Sequence, residues 1–202
     1  MSKVNKVAIL IDGGFFIQRF KALNKGKYPL KKDVENLIND IIAKVKAKSG
    51  GSSEDILFRT YYYDSLPFSK TISNASGKKK IDFSQSPIYQ QQHSFIYSLA
   101  NIDQFALRLG ELSFSGWKID ARDKTKRAKP DFRQKGVDMK IGLDMAWMAG
   151  RNTINKIVLV AGDSDFVSPM KLVRREGILV YVYPMGNHIK PQFIEHSDFI
   201  LN

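Results

Sequence analysis

A chain of 202 residues without a cysteine can form neither a disulfide framework nor a thiolate metal site, so any metal it holds must rest on oxygen or imidazole ligands. Its 43% hydrophobic residues can bury a core of their own, and no long polar linker interrupts them, so one domain spanning 1–202 is expected. A net charge of +12, from 32 Lys and Arg against 20 Asp and Glu, favours polyanionic partners, nucleic acid first among them, although a merely solubilising surface would give the same total.

Residues 7–11 form an unbroken apolar run that stops at Asp12. The run is too short for a signal peptide or a membrane span, so a cytoplasmic protein is expected. Without polar alternation it suits a strand covered on both faces, as in a parallel sheet. A helix follows over 33–48, where Val34, Leu37, Ile38, Ile41, Ile42 and Val45 recur at three- and four-residue spacing, and a second strand follows over 56–63. This is a βαβ unit. Further on, a helix near 91–99, strands over 104–109, 157–161 and 178–183, and helices over 135–149 and 168–176 continue the alternation. Pro169 just inside the last helix and Gly177 just past its end mark its limits. Two stretches break the pattern. Residues 65–92 are polar and carry Lys78, Lys79 and Lys80, which suggests an exposed insertion. Residues 117–135 form a basic loop with Lys124, Lys126, Arg127, Lys129 and Lys135, suited to touching phosphates without reading bases.

Doubly wound sheets bind ligands at the carboxyl ends of their strands. Asp12 follows the first strand, and Asp163 and Asp165 follow the fourth; if the chain returns to set that strand beside the first, the three face one crevice. On the helix over 135–149, a rotation of about 100° per residue sets Asp138 on the face of Ile141, Gly142, Met145 and Ala149, turned towards the sheet. Asp144 falls away from that face, near Lys140, which makes an exposed pair its simplest explanation. Each aspartate taken singly also fits a cap or a turn; their joint placement fits that less well. Carboxylates gathered in one crevice repel each other unless a cation compensates, and Mg2+ or Mn2+ is the hard, oxygen-loving choice. His93, His188 and His196 show no ligand spacing, and Tyr61, Tyr62 and Tyr63 are expected in the core.

Three motifs resemble the NYN domain family, a branch of the PIN-like metal-dependent ribonucleases: Val7 to Gly14, Lys135-Gly136-Val137-Asp138 with Asp144, and Gly162-Asp163-Ser164-Asp165-Phe166 with Pro169. The resemblance implies a three-layer α/β fold whose five-stranded, mainly parallel sheet has the order 3-2-1-4-5. It also implies RNA as the substrate, single-stranded by expectation and cut endonucleolytically. Asp12, Asp138, Asp163 and Asp165 are then the metal-holding, catalytic residues, with Asp144 a further acidic candidate. Phe15 and Phe16 stand where relatives often place an asparagine. Two other readings compete. A non-catalytic RNA-binding protein would keep the fold and the basic loops, and a haloacid-dehalogenase-like phosphatase would need a second aspartate where Gly14 stands. A homo-oligomer is compatible with all of this.

Overall fold

The structure is a computed structural model that describes residues 3–50, 53–119 and 128–202. Strand β1 (Lys3–Asp12) runs directly into helix α1 (Gly13–Leu23), and helix α2 (Lys31–Lys48) leads to strand β2 (Ser53–Ser65). A ribbon of β3 (Thr71–Ser73) and β4 (Lys80–Asp82) precedes helix α3 (Pro87–Leu99). Then come β5 (Phe105–Ile119), β6 (Ala128–Lys135), α4 (Val137–Arg151), β7 (Lys156–Val160), α5 (Val167–Arg175), β8 (Leu179–Val182), α6 (Pro191–Glu195) and β9 (Phe199–Ile200).

The main sheet has the order β6-β5-β2-β1-β7-β8-β9. Its seven strands correct the expected five-stranded sheet and the 3-2-1-4-5 order given for it: the anticipated strands fill the middle, and β6 and β9 extend the two edges. All pairings are parallel except β5 with β6. The sequence hides both edges for physical reasons. β6 carries Pro130 and alternating charges, as edge strands do, and β9 is two residues long.

Side-chain alternation divides the core into two layers, one on each face of the sheet. Val7, Ile9 and Ile11 of β1 point towards α1, α2 and α3, whereas Ala8 and Leu10 point towards α4 and α5. Tyr62 joins the first layer and Tyr61 and Tyr63 the second, so all three tyrosines are core residues as expected. Helix α3 starts on Ser86, whose hydroxyl accepts the Tyr89 N–H, with Pro87 at the first helical position.

The polar stretch 65–92 has more structure than its composition suggests. Phe68 and Phe83 pack on Phe114 and Phe132 of the β5–β6 hairpin, and the Trp117 indole donates to the Ser73 carbonyl at 3.1 Å. The basic stretch 117–135, expected as a loop, forms the end of β5 and all of β6 where it is described; Lys124, Lys126 and Arg127 lie outside the described residues.

At the amino end of the sheet, Asp55 of β2 and Lys156 of β7 make a buried ion pair of 2.7 Å. Asn5 of β1 donates to Asp55 at 3.1 Å, and the Ser49 hydroxyl donates to it at 2.5 Å. The network joins β2 to β7 across β1, the strand between them.

Candidate active site

β1 and β7 lie side by side, with Ile11 opposite Val160, so the segments leaving their carboxyl ends emerge together. Asp12 ends β1 and caps α1, its Oδ1 accepting the Phe15 N–H at 3.2 Å. The helix can start this close to β2 because residue 13 is glycine: a Cβ there would stand 2.8 Å from the Tyr62 ring and the Tyr63 carbonyl. Asp163 caps the short 3-10 turn Ser164–Phe166 and accepts the Asp165 N–H at 3.2 Å. Gly162 lies beneath the Phe15 ring, which a Cβ would meet at 2.6 Å. Asp138 comes from the first turn of α4, whose buried face includes Ile141, Met145 and Ala149, in keeping with their helical spacing.

The carboxylates sense one another. Burial pushes the Asp12 carboxyl up to about 6, and the charges of Asp138 and Asp163 add to the rise against hydrogen bonds from Phe15 and Gly14. Asp138 is also raised, first by desolvation and then by Asp163 and Asp165. Asp138, Asp163 and Asp165 are exposed, so the cluster opens to solvent on one side.

A cavity of about 430 Å³ adjoins the cluster, lined by Asp12, Phe15, Arg19, Asp163, Asn187 and Lys190 among others. Among the described residues no three His, Asp or Glu side chains are grouped closely enough to hold an ion by themselves. The donor chemistry still fits Mg2+ or Mn2+, because these ions keep several waters and need only one or two carboxylates, and because the cluster's mutual repulsion calls for positive charge.

Asp144 departs from its expected pairing. Its carboxylate accepts from the Arg108 Nε at 2.8 Å and the Tyr63 hydroxyl at 2.9 Å, while Lys140 donates instead to the Leu109 carbonyl at 2.8 Å. The sequence could not show that β5 brings Arg108 under this helix face. Lys129 and Lys135 sit on β6, exposed.

Sequence reasoning missed Asp64. It is buried at the carboxyl end of β2, accepts the Ser65 N–H at 2.7 Å, and is pushed up to about 6 by burial and then by the Asp12 charge. The signal was present, since Asp64 follows an apolar run as Asp12 does. Arg19 and Lys190 carried no comparable signal.

Residues 6–200, nearly the whole chain, match the NYN domain family. The chain belongs to that family. NYN domains are PIN-like ribonucleases that typically use divalent metals, and the α/β architecture with its mainly parallel central sheet agrees with this membership. No curated protein and no solved structure matches this NYN domain. No helix among its described residues is long and apolar enough to cross a membrane.

Proposed function

We propose that this NYN domain is a ribonuclease that hydrolyses RNA phosphodiester bonds with Mg2+ or Mn2+ held by Asp12, Asp138, Asp163 and Asp165. The observation that carries the reading is the convergence of Asp12 and Asp163, which follow the adjacent central strands β1 and β7, with Asp138 of α4, where burial first and the neighbouring carboxylates second raise Asp12 and Asp138. A divalent ion bound there supplies Lewis-acid chemistry, easing deprotonation of the attacking water and stabilising the departing oxygen.

The chain's own residues prepare the site. Asp12 accepts backbone N–H groups of Phe15 and Gly14 and Asp163 accepts that of Asp165, which fixes the carboxylates while leaving other lone pairs free for a cation. Asp138 and Asp165, at the open side, add charge where substrate enters. Lys129 and Lys135, with Lys124, Lys126 and Arg127, supply phosphate contacts for single-stranded RNA. A second reading, RNA binding without cleavage, is favoured by Phe15, which presents an apolar ring to the cavity between Asp12 and Asp163.

Labelled single-stranded RNA incubated with manganese, with and without chelator, separates the two. Metal-dependent cleavage that stops on chelation is expected, and Asp163→Asn should abolish turnover while keeping RNA binding and the circular dichroism of the fold. Cleavage that survives chelator would overturn the metal mechanism; metal-indifferent binding without cleavage would establish the second reading.

A further inference from the structure

The cavity beside the carboxylates is also lined by two cations, Arg19 and Lys190. Arg19 of α1 sends its guanidinium to the loop after β8, where Nε and Nη2 donate to the Met185 carbonyl at 3.3 and 3.1 Å. Met185 has φ of 51° and Gly186 has φ of 68°, and the Asn187 N–H returns to the Pro184 carbonyl at 2.9 Å, so a tight turn carries the carbonyl that braces the arginine. A guanidinium has five N–H donors, and two are used here. Lys190 lines the same cavity, held near the Gly-Asp-Ser-Asp turn by a 3.3 Å hydrogen bond from its Nζ to the Ser164 hydroxyl. Neither cation has a carboxylate within salt-bridge distance among the described residues.

An anion entering this cavity meets both the carboxylates of Asp12 and Asp163, which repel it, and the cations of Arg19 and Lys190, which attract it. A divalent ion held by the aspartates would draw one phosphate to itself, which would leave Arg19 and Lys190 to hold another. The volume of about 430 Å³ lies within the range of pockets that enclose a small ligand. Arg19 is braced before anything binds, so binding costs little further side-chain entropy, and its planar fork suits phosphate oxygens.

We propose that Arg19 and Lys190 form a second phosphate subsite, which holds the RNA backbone phosphate neighbouring the one attacked at the carboxylates. The proposal rests on the ribonuclease reading for its substrate, but its test does not depend on cleavage.

The test compares wild type, Arg19→Gln, Lys190→Gln and the double variant, with Arg19→Lys as the conservative change. Binding of a fluorescein-labelled oligouridylate is measured in chelator over a series of salt concentrations. Each glutamine substitution should reduce the log–log salt slope by about 0.7, so the double variant should fall by about 1.4, and Arg19→Lys should restore most of the slope. With manganese present, the single variants should raise KM more than they lower kcat. The manganese-induced rise in melting temperature should match wild type, showing an intact carboxylate site. Lys190 is exposed, so its variant remains informative if Arg19→Gln fails to fold. A salt slope unchanged in the double variant, or no RNA binding by wild type, overturns the subsite. Binding that follows the expected slopes without manganese-dependent cleavage supports the phosphate contacts and overturns the ribonuclease reading.

Discussion

Asp12 holds two roles that pull against each other, because it caps a helix and also stands among like charges. Its carboxyl is near 6 in the folded chain and near 4 when unfolded, so its ionisation costs stability. The sign follows from proton counts. Between about pH 4 and 6 the folded state binds the extra proton, so stability falls as pH rises through that window, and the whole cost, up to about 3 kcal/mol, is present above it. Asp12→Asn keeps an acceptor for the Phe15 N–H and removes the charge. Its melting temperature should therefore exceed that of wild type at pH 7, with the gap closing near pH 4. Added manganese should stabilise wild type more than Asp12→Asn or Asp138→Asn, and equal shifts in all three would refute the metal assignment. Asp64→Asn provides a contrast. It should likewise raise the neutral-pH melting temperature, since Asp64 is also pushed up to about 6, while keeping the manganese-induced shift of wild type.

Helix α4 shows how far an element can be read from its residues. The inward face came from periodicity, because Ile141, Met145 and Ala149 repeat at helical spacing and nothing else explains their burial. The partner of Asp144 did not, because it depends on which strand lies below. β5 pairs with β2 in a register that sets Arg108 opposite Tyr63, so arginine and tyrosine reach one carboxylate from neighbouring strands. The same limit applied to the site. Asp12, Asp138, Asp163 and Asp165 could be gathered from strand ends and one helical turn, but Arg19 is set by the turn at Met185 and Lys190 by a bond to Ser164, neither of which leaves a periodic trace. Asp144 thus ties α4 to the sheet and is more than a surface charge. Asp144→Ala should cost about 1–3 kcal/mol in chemical denaturation, because the buried Tyr63 hydroxyl is deprived of its partner, and Asp144→Asn should cost less. Neither change should alter the manganese-induced melting shift; a vanished shift would move Asp144 into the metal site.

For the whole molecule, a charge of +12 attracts polyanions at long range, and on the proposed RNA reading particular lysines would set how salt weakens the grip. Changing Lys124, Lys126, Arg127 and Lys129 to Ala should flatten the salt dependence of RNA binding by up to about 0.7 in log–log slope for each phosphate no longer neutralised. An unchanged slope would leave these residues a solubilising role only. Far from the carboxylates, the Asp55–Lys156 pair has a bearing on how the chain reaches this structure. Burial pushes the Asp55 carboxyl up, but hydrogen bonds from Lys156, Ser49 and Asn5 outweigh it and hold the group below its ordinary value, so its contribution is present above about pH 4 and fades in acid. Ser49 and Lys156 are 107 positions apart and meet only when β7 has docked against β1, after the costliest loop closure in the sheet. The network therefore acts as a late latch on assembly. Stopped-flow measurements on Asp55→Asn should show unfolding accelerated by most of the roughly 3–5 kcal/mol that a broken buried pair costs, with refolding nearly as fast as before. A refolding limb slowed to the same degree would mean that the two halves of the sheet meet first, and that this end of the strands is where the NYN domain begins to fold.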